Sequence, residues 1–118
     1  MINESDLTEL RLAVLTGVTI GVGSQVLIFE NGVTLLIQCP FKSNSKSGER
    51  WGHGEDVATG ILFFDFLNHK VGSVCVDVGG VLLLNFGDVG SLVIVPDSNC
   101  LESYVLTTKF GVFPVLVI

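Results

Sequence analysis

Val26-Leu-Ile-Phe-Glu-Asn-Gly-Val-Thr-Leu-Leu-Ile-Gln-Cys-Pro40 and Val81-Leu-Leu-Leu-Asn-Phe-Gly-Asp-Val-Gly-Ser-Leu-Val-Ile-Val-Pro96 follow one pattern. In each, an apolar run reaches a phenylalanine (Phe29, Phe86), small and polar residues intervene, a leucine six positions on (Leu35, Leu92) opens a second apolar run, and a proline ends the unit. Asn31-Gly32 supplies the positive backbone φ angles of a tight hairpin turn, and Asp88 with Gly90 can do the same in a slightly different loop. Pro40 and Pro96 lack an amide donor, so each ends a ladder or lies on an edge. A further strand-like run precedes each unit, Ala13 to Val22 and Val71 to Val78, with Gly23 and Gly79-Gly80 as the turns between. We read an internal repeat of about three strands over 13–40 and 71–96, inside one β-rich domain spanning 1–118.

Val81-Leu-Leu-Leu84 and Leu92-Val-Ile-Val95 are apolar on both faces, whereas a sheet with one wet face would alternate. Something is expected to cover both sides: a second sheet, a helix or another chain. The composition, 48% hydrophobic and 15% charged, provides for a dense core. Its weight of Val, Leu, Ile and Phe favours strands. One helix is expected around residues 56–69, where Val57, Ile61, Phe64 and Leu67 or Asn68 share a face at helical spacing, acidic residues lie at the start, and His69 with Lys70 suits the C-terminal end of the macrodipole. Ile61-Leu-Phe-Phe64 reads equally as a strand. A short helix is also expected over Asp6 to Val14. The fold class is mainly β with a minor α part, a duplicated antiparallel hairpin or meander forming a β-sandwich or half-open barrel. Beyond the second unit, a turn at Ser98-Asn99, a strand over Ser103 to Thr107 and a last strand over Val112 to Ile118 are expected, with Pro114 placing the last at an edge or bulge.

Twelve acidic residues against six basic ones give a formal charge of −6, which argues against a nucleic-acid partner and permits a basic one. Glu4, Asp6 and Glu9 stand where a secretory leader needs positive charge, so the expected location is cytoplasmic. Leu12 to Phe29 is interrupted by Thr, Gly, Ser and Gln and reads as strand and turn, so no membrane partner is expected. Cys39, Cys75 and Cys100 form no Cys-x-x-Cys pair and read as buried free thiols. Gly21-Val-Gly23 lacks the Lys-Ser/Thr and helix start of a phosphate loop. Asp65 and His69 are four apart and read as a helix pair rather than a catalytic dyad. His53 has no second histidine near it to make a metal site. No catalytic residue, metal or cofactor is assigned, and an enzyme is not expected.

Lys42 to Glu55 is polar, rich in Ser and Gly, and reads as a loop carrying the sole tryptophan, Trp51, beside His53. Trp51 suits an interface anchor or a cap folded back on the core. Glu49, Glu55 and Asp56, tempered by Lys46 and Arg50, read first as a solvated acidic loop and, if they face one way, as a mimic of the phosphates that a basic nuclease cleft holds.

Across about Leu12 to the C-terminus the chain resembles a family of small bacterial β proteins. The resemblance rests on Gly17-Val-Thr-Ile20, Leu27-Ile-Phe-Glu-Asn-Gly32 leading to Leu35-Leu-Ile-Gln-Cys-Pro-Phe41, the Gly80 to Phe86 hairpin, and Pro96-Asp97 followed by Glu102-Ser103-Tyr104, where Tyr104 stands at a position the family usually fills with tryptophan. Proteins similar to this family are encoded beside polymorphic toxins, and some resemble contact-dependent growth inhibition immunity proteins. The resemblance implies a cytosolic inhibitor that binds one cognate toxin domain, plausibly a ribonuclease or other nuclease, and blocks its active site. Loop chemistry and composition select Glu49, Arg50, Trp51, His53, Glu55 and Asp56 as the binding residues, with Glu102 and Tyr104 as secondary choices. The competing readings are a self-associating β module whose apolar last strand pairs with another copy, and a β-sandwich that binds a small ligand in a pocket lined by His53 or His69.

Overall fold

The computed structural model describes residues 2–97 and 102–116, so the expected turn at Ser98-Asn99 and Cys100 lie outside the described residues. A 3₁₀ helix, Glu4–Leu10, leads into a meander of β1 (Leu15–Gly21), β2 (Ser24–Phe29) and β3 (Thr34–Ile37), followed by a hairpin of β4 (Pro40–Ser45) and β5 (Gly48–His53). A second 3₁₀ helix, Val57–Phe66, leads into a second meander, β6 (Ser73–Val76), β7 (Leu82–Asn85) and β8 (Gly90–Ile94), and a second hairpin, β9 (Glu102–Thr108) and β10 (Gly111–Leu116). The chain thus runs twice through helix, meander and hairpin.

The halves exchange their hairpins. Sheet I has the order β1-β2-β3-β9-β10 and sheet II the order β5-β4-β8-β7-β6. Each meander is completed by the hairpin of the other half, through the antiparallel pairs β3–β9 (Thr34 with Thr107, Ile37 with Tyr104) and β4–β8 (Phe41 with Ile94, Ser45 with Gly90). Equivalent positions share their local geometry. Both meander hairpins close with the same backbone bond, Phe29 N–H to Val33 O at 2.9 Å and Phe86 N–H to Gly90 O at 2.8 Å. Two residues after each helix the backbone turns left-handed, at Leu12 (φ 66°) and at Asn68 (φ 69°). The two segments that follow pair with each other: Leu12 N–H donates to Val71 O at 2.8 Å, Val71 N–H to Ala13 O at 2.9 Å, and Asn68 N–H to Leu15 O at 2.7 Å.

The inner faces of the sheets supply the core. Leu27, Phe29, Leu35, Ile37, Tyr104 and Leu106 from sheet I meet Phe41, Leu82, Leu84, Leu92 and Ile94 from sheet II, all buried. The outer faces, expected from the apolar runs to be covered, have no helix or strand over them among the described residues, and Leu36, Val93 and Leu83 stay only partly buried. The second helix lies against β1 and β5, one edge strand of each sheet.

That helix buries a different side from the one expected. A 3.6-residue period puts Val57, Ile61 and Phe64 on the core face, but these are 51%, 62% and 49% exposed. With three residues per turn, positions three apart eclipse one another. The buried row is Gly60, Phe63 and Phe66. Phe63 stacks on Phe41 with ring centroids 4.3 Å apart, and Phe66 packs on Phe86 at 4.9 Å. Gly60 permits a close approach to β1, since a Cβ there would fall 2.5 Å from Ile20 Cδ1 and the Ile20 side chain would have to shift.

Three further expectations are corrected. The polar stretch Lys42 to Glu55 is not a loop but most of the β4–β5 hairpin. Its inward positions, Phe41 and Ser43, are buried while β5 is the exposed edge of the sheet, so polarity on one strand hid the alternation on the other. Pro40 opens β4 rather than ending a ladder. Of the cysteines, Cys39 is buried, whereas Cys75 is exposed on edge strand β6.

Leu12 carries a branched side chain where the left-handed backbone costs an L-residue roughly 1–2 kcal/mol, and Asn68 meets the same geometry with a residue that tolerates it. Leu12→Asn is therefore expected to raise unfolding stability by about 0.5–1 kcal/mol and Asn68→Leu to lower it by about 1 kcal/mol. Urea denaturation measures both, and midpoints unmoved in either variant would refute strain at this turn.

Candidate functional site

Strand β5, the turn after it and the second helix form one continuous surface, and six of the residues singled out in the sequence lie on it: Glu49, Arg50, Trp51, His53, Glu55 and Asp56. Pairing of Lys42 with Trp51 and of Asn44 with Glu49 puts these four side chains on the outer face of sheet II. Trp51 is 57% exposed and does not fold back as a cap on the core. Lys42 Nζ sits 5.9 Å from its ring centroid and 3.7 Å from Glu49 Oε2. The alternate positions of β4, Phe41, Ser43 and Ser45, face the helix.

On the other side of β5, the helix presents Ala58, Ile61 and Phe64 to solvent as one row at three-residue spacing, with exposed Val57 at its start. These apolar residues were missed as surface residues because a 3.6-residue period assigns them to the core. The three-residue spacing of Gly60, Phe63 and Phe66 is the signal that locates them. Between helix and hairpin lies a cleft of about 220 Å³ lined by Ser43, Ser45, Ser47, Arg50, Ile61 and Asp65.

The surface is held rigidly. Gln25, fully buried in β2, donates from Nε2 to Asp56 O at 2.7 Å and to His53 O at 3.3 Å, tying the turn to sheet I. Thr59 Oγ1 accepts from His53 N–H at 3.1 Å and donates toward Asp56 O at 2.8 Å. Asp56 caps the helix by accepting from Ala58 N–H at 3.1 Å. Gly54 N–H reaches Cys39 O at 2.9 Å, and a Cβ on Gly54 would collide with the Ile37 carbonyl. Neither Gln25 nor Thr59 carries a motif that would mark it in sequence.

His53 accepts at Nδ1 from Glu55 N–H at 3.1 Å, and its Nε2 lies 3.6 Å from Asp97 Oδ2. No group of three His, Cys, Asp or Glu side chains among the described residues is arranged to hold a metal ion. His69 lies near Asp65 in a small surface depression, but the Asp65 carboxylate accepts from Ser45 and Ser47 instead. Burial, with the negative charge of Asp97 behind it, pushes the Cys39 thiol up to about 12 and keeps it unreactive as a nucleophile.

Tyr104, a secondary choice as a contact residue, is corrected: it is completely buried and donates its hydroxyl to Gly80 O at 2.7 Å. Burial also raises its phenol well above the ordinary value. The tyrosine fastens sheet I to the β6–β7 turn of sheet II. Glu102 opens β9, away from the β5 surface in the strand order. Among the described residues no helix is long and apolar enough to cross a membrane.

The hydroxyls of Ser45 and Ser47, donating to Asp65 Oδ2 at 2.8 and 3.0 Å, hold that carboxyl below the usual carboxylate range. NMR titration is expected to find Asp65 below the ordinary aspartate value of about 3.9, and Ser45→Ala with Ser47→Ala to bring it back up. A folded pKa below the unfolded one contributes stability above the unfolded value, lost as pH falls through the folded one. Wild type and double variant should therefore converge in stability toward acid pH, and an unperturbed Asp65 would contradict this. No family model, curated protein or solved structure matches this chain.

Proposed function

We propose that this protein is an immunity protein, which binds a cognate toxin domain of basic, nuclease-like chemistry and blocks its active site. The observation that carries the proposal is the exposure of four large apolar side chains around one edge strand, Trp51 on the outer face of β5 and Val57, Ile61 and Phe64 on the helix along its other side, with Glu49, Glu55 and Asp56 exposed on the strand and the turn between. Aromatic and aliphatic anchors at the centre of a contact with charge at its rim are the composition of a protein interface. Isolated exposed apolar residues are ordinary, but several on one surface mark a contact site. Rigidity supports the same conclusion, because a turn tied by Gln25, Thr59 and Gly54 loses little freedom on binding. The acidic rim adds attraction for a basic partner and so speeds capture, which self-protection requires.

The cleft between helix and hairpin is small and open, and its Asp65 already has two internal donors. A protein contact explains the surface better than a small ligand does. The resemblance to immunity proteins supplies the class of partner.

Co-purification with the toxin domain encoded beside this chain, followed by assay of that toxin's activity, is the direct test. A one-to-one complex without toxic activity is expected. Trp51→Ala and the pair Ile61→Ala with Phe64→Ala are each expected to weaken binding about 30-fold or more, the effect of losing a central anchor worth about 2 kcal/mol. Glu49→Lys with Glu55→Lys should slow association and flatten its salt dependence. Absence of a complex would overturn the function, and a complex indifferent to the ridge variants would overturn the surface.

A further inference from the structure

The outer face of sheet I is a second exposed surface, on the side of the molecule away from sheet II. Cross-strand pairing sets its rows. Pro114, Val105, Leu36, Val26 and Thr19 lie side by side across all five strands, and Val112, Thr107, Thr34, Ile28 and Gly17 form the neighbouring row. None of Val26, Ile28, Leu36 and Val105 belongs to the core or packs against it. Val112 is 63% exposed. The five strands contain one charged residue, Glu102 at the first position of β9. The corresponding face of sheet II is unlike it, carrying Lys42, Glu49, Asn44 and Asn85 along with Trp51.

We infer that this face is the contact surface between two copies of the chain. Two copies with a formal charge of −6 repel one another overall, and they do so least when they meet through a face without charges, as the two central rows of sheet I are. A charged partner would find nothing there to attract it. Faces built of Val, Ile, Leu and Thr are complementary to themselves under a two-fold rotation, and two such sheets pack about 10 Å apart as the inner faces of a sandwich do. Association by adding strand to strand is disfavoured at the sheet's β10 edge, because Pro114 interrupts the row of outward amides. Contact is therefore face to face, not through the last strand.

Size sets the strength. With strands about 4.8 Å apart and residues about 3.3 Å apart, the face measures roughly 24 by 17 Å, on the order of 400 Å² in projection. Two such faces total roughly 800 Å² in projection, less than the about 1,200–2,000 Å² of a stable specific interface, so the dimer is weak and reversible.

Sedimentation equilibrium of the full chain from about 1 μM to about 1 mM tests the inference. The weight-average mass should rise from monomer toward dimer across that range and stay at monomer for Leu36→Lys. Val112→Lys, on an exposed edge position, provides a second variant that disturbs no packing, and it should raise the dissociation constant at least tenfold. Trp51→Ala should leave the dimer unchanged. A wild type that stays monomeric at the highest concentration would overturn the inference. So would a dimer that survives Val112→Lys and folded Leu36→Lys, or one that is lost with Trp51→Ala, which would move the contact to the β5 ridge. None of these outcomes depends on toxin binding, so the two proposals stand or fall separately.

Discussion

The ladders β3–β9 and β4–β8 are the constraint on which the rest of the structure depends. Each joins a meander from one half of the chain to a hairpin from the other, so neither half has a complete sheet of its own. A three-stranded meander alone would leave an unpaired edge and half a core. The exchange pairs β3 and β8, each the last strand of its meander, and completes the core at once, because the hairpin that extends a sheet also carries inward residues, Phe41 in one case and Tyr104 with Leu106 in the other, that fill the space between sheets. Pairings such as Thr34 with Thr107 are distant along the chain, and closing such loops before any contact repays the lost freedom makes folding slow relative to helical proteins of this size.

The β5 surface follows from that arrangement. Exchange carries β5 to the edge of sheet II, while the helix that follows must return to start the second meander and comes to rest between β5 and β1. Tight winding keeps that helix narrow enough for Gly60 to meet Ile20 and for Phe63 to reach Phe41. The same winding turns Ile61 and Phe64 outward. A helix with 3.6 residues per turn would distribute those phenylalanines differently, so the exposed ridge and the packed core are two results of one local geometry.

Much of the architecture is legible in the residues. Phe29 and Phe86, with the turns and leucines after them, reveal the hairpins because inward residues recur every second position and turn chemistry is local. What is not legible is what depends on distant partners. Polarity in Lys42 to Glu55 conceals a hairpin because β5 is paired on one side only, and an edge strand has few inward positions to mark it. The buried side of the central helix is not legible because Val57, Ile61 and Phe64 fit a 3.6-residue period, while the row that is buried, Gly60, Phe63 and Phe66, repeats at three. Of the surface residues, Trp51 and the acidic cluster stand out by type. Tyr104 stands out equally and is internal, since an aromatic residue next to polar neighbours does not tell whether its hydroxyl will find a carbonyl such as Gly80 O. Gln25, which fixes the site's turn from another sheet, has no local signature at all.

Trp51 is the only indole in the molecule, and it lies at the surface in the native state with Lys42 beside it. Its fluorescence therefore starts from a hydrated environment, close to the one it meets in an unfolded chain. Emission wavelength is consequently a poor gauge of whether this protein is folded. It is a good gauge of whether the β5 ridge is covered, because only a dry contact would shift it to the blue, and the sheet I face can be occupied without the indole registering it.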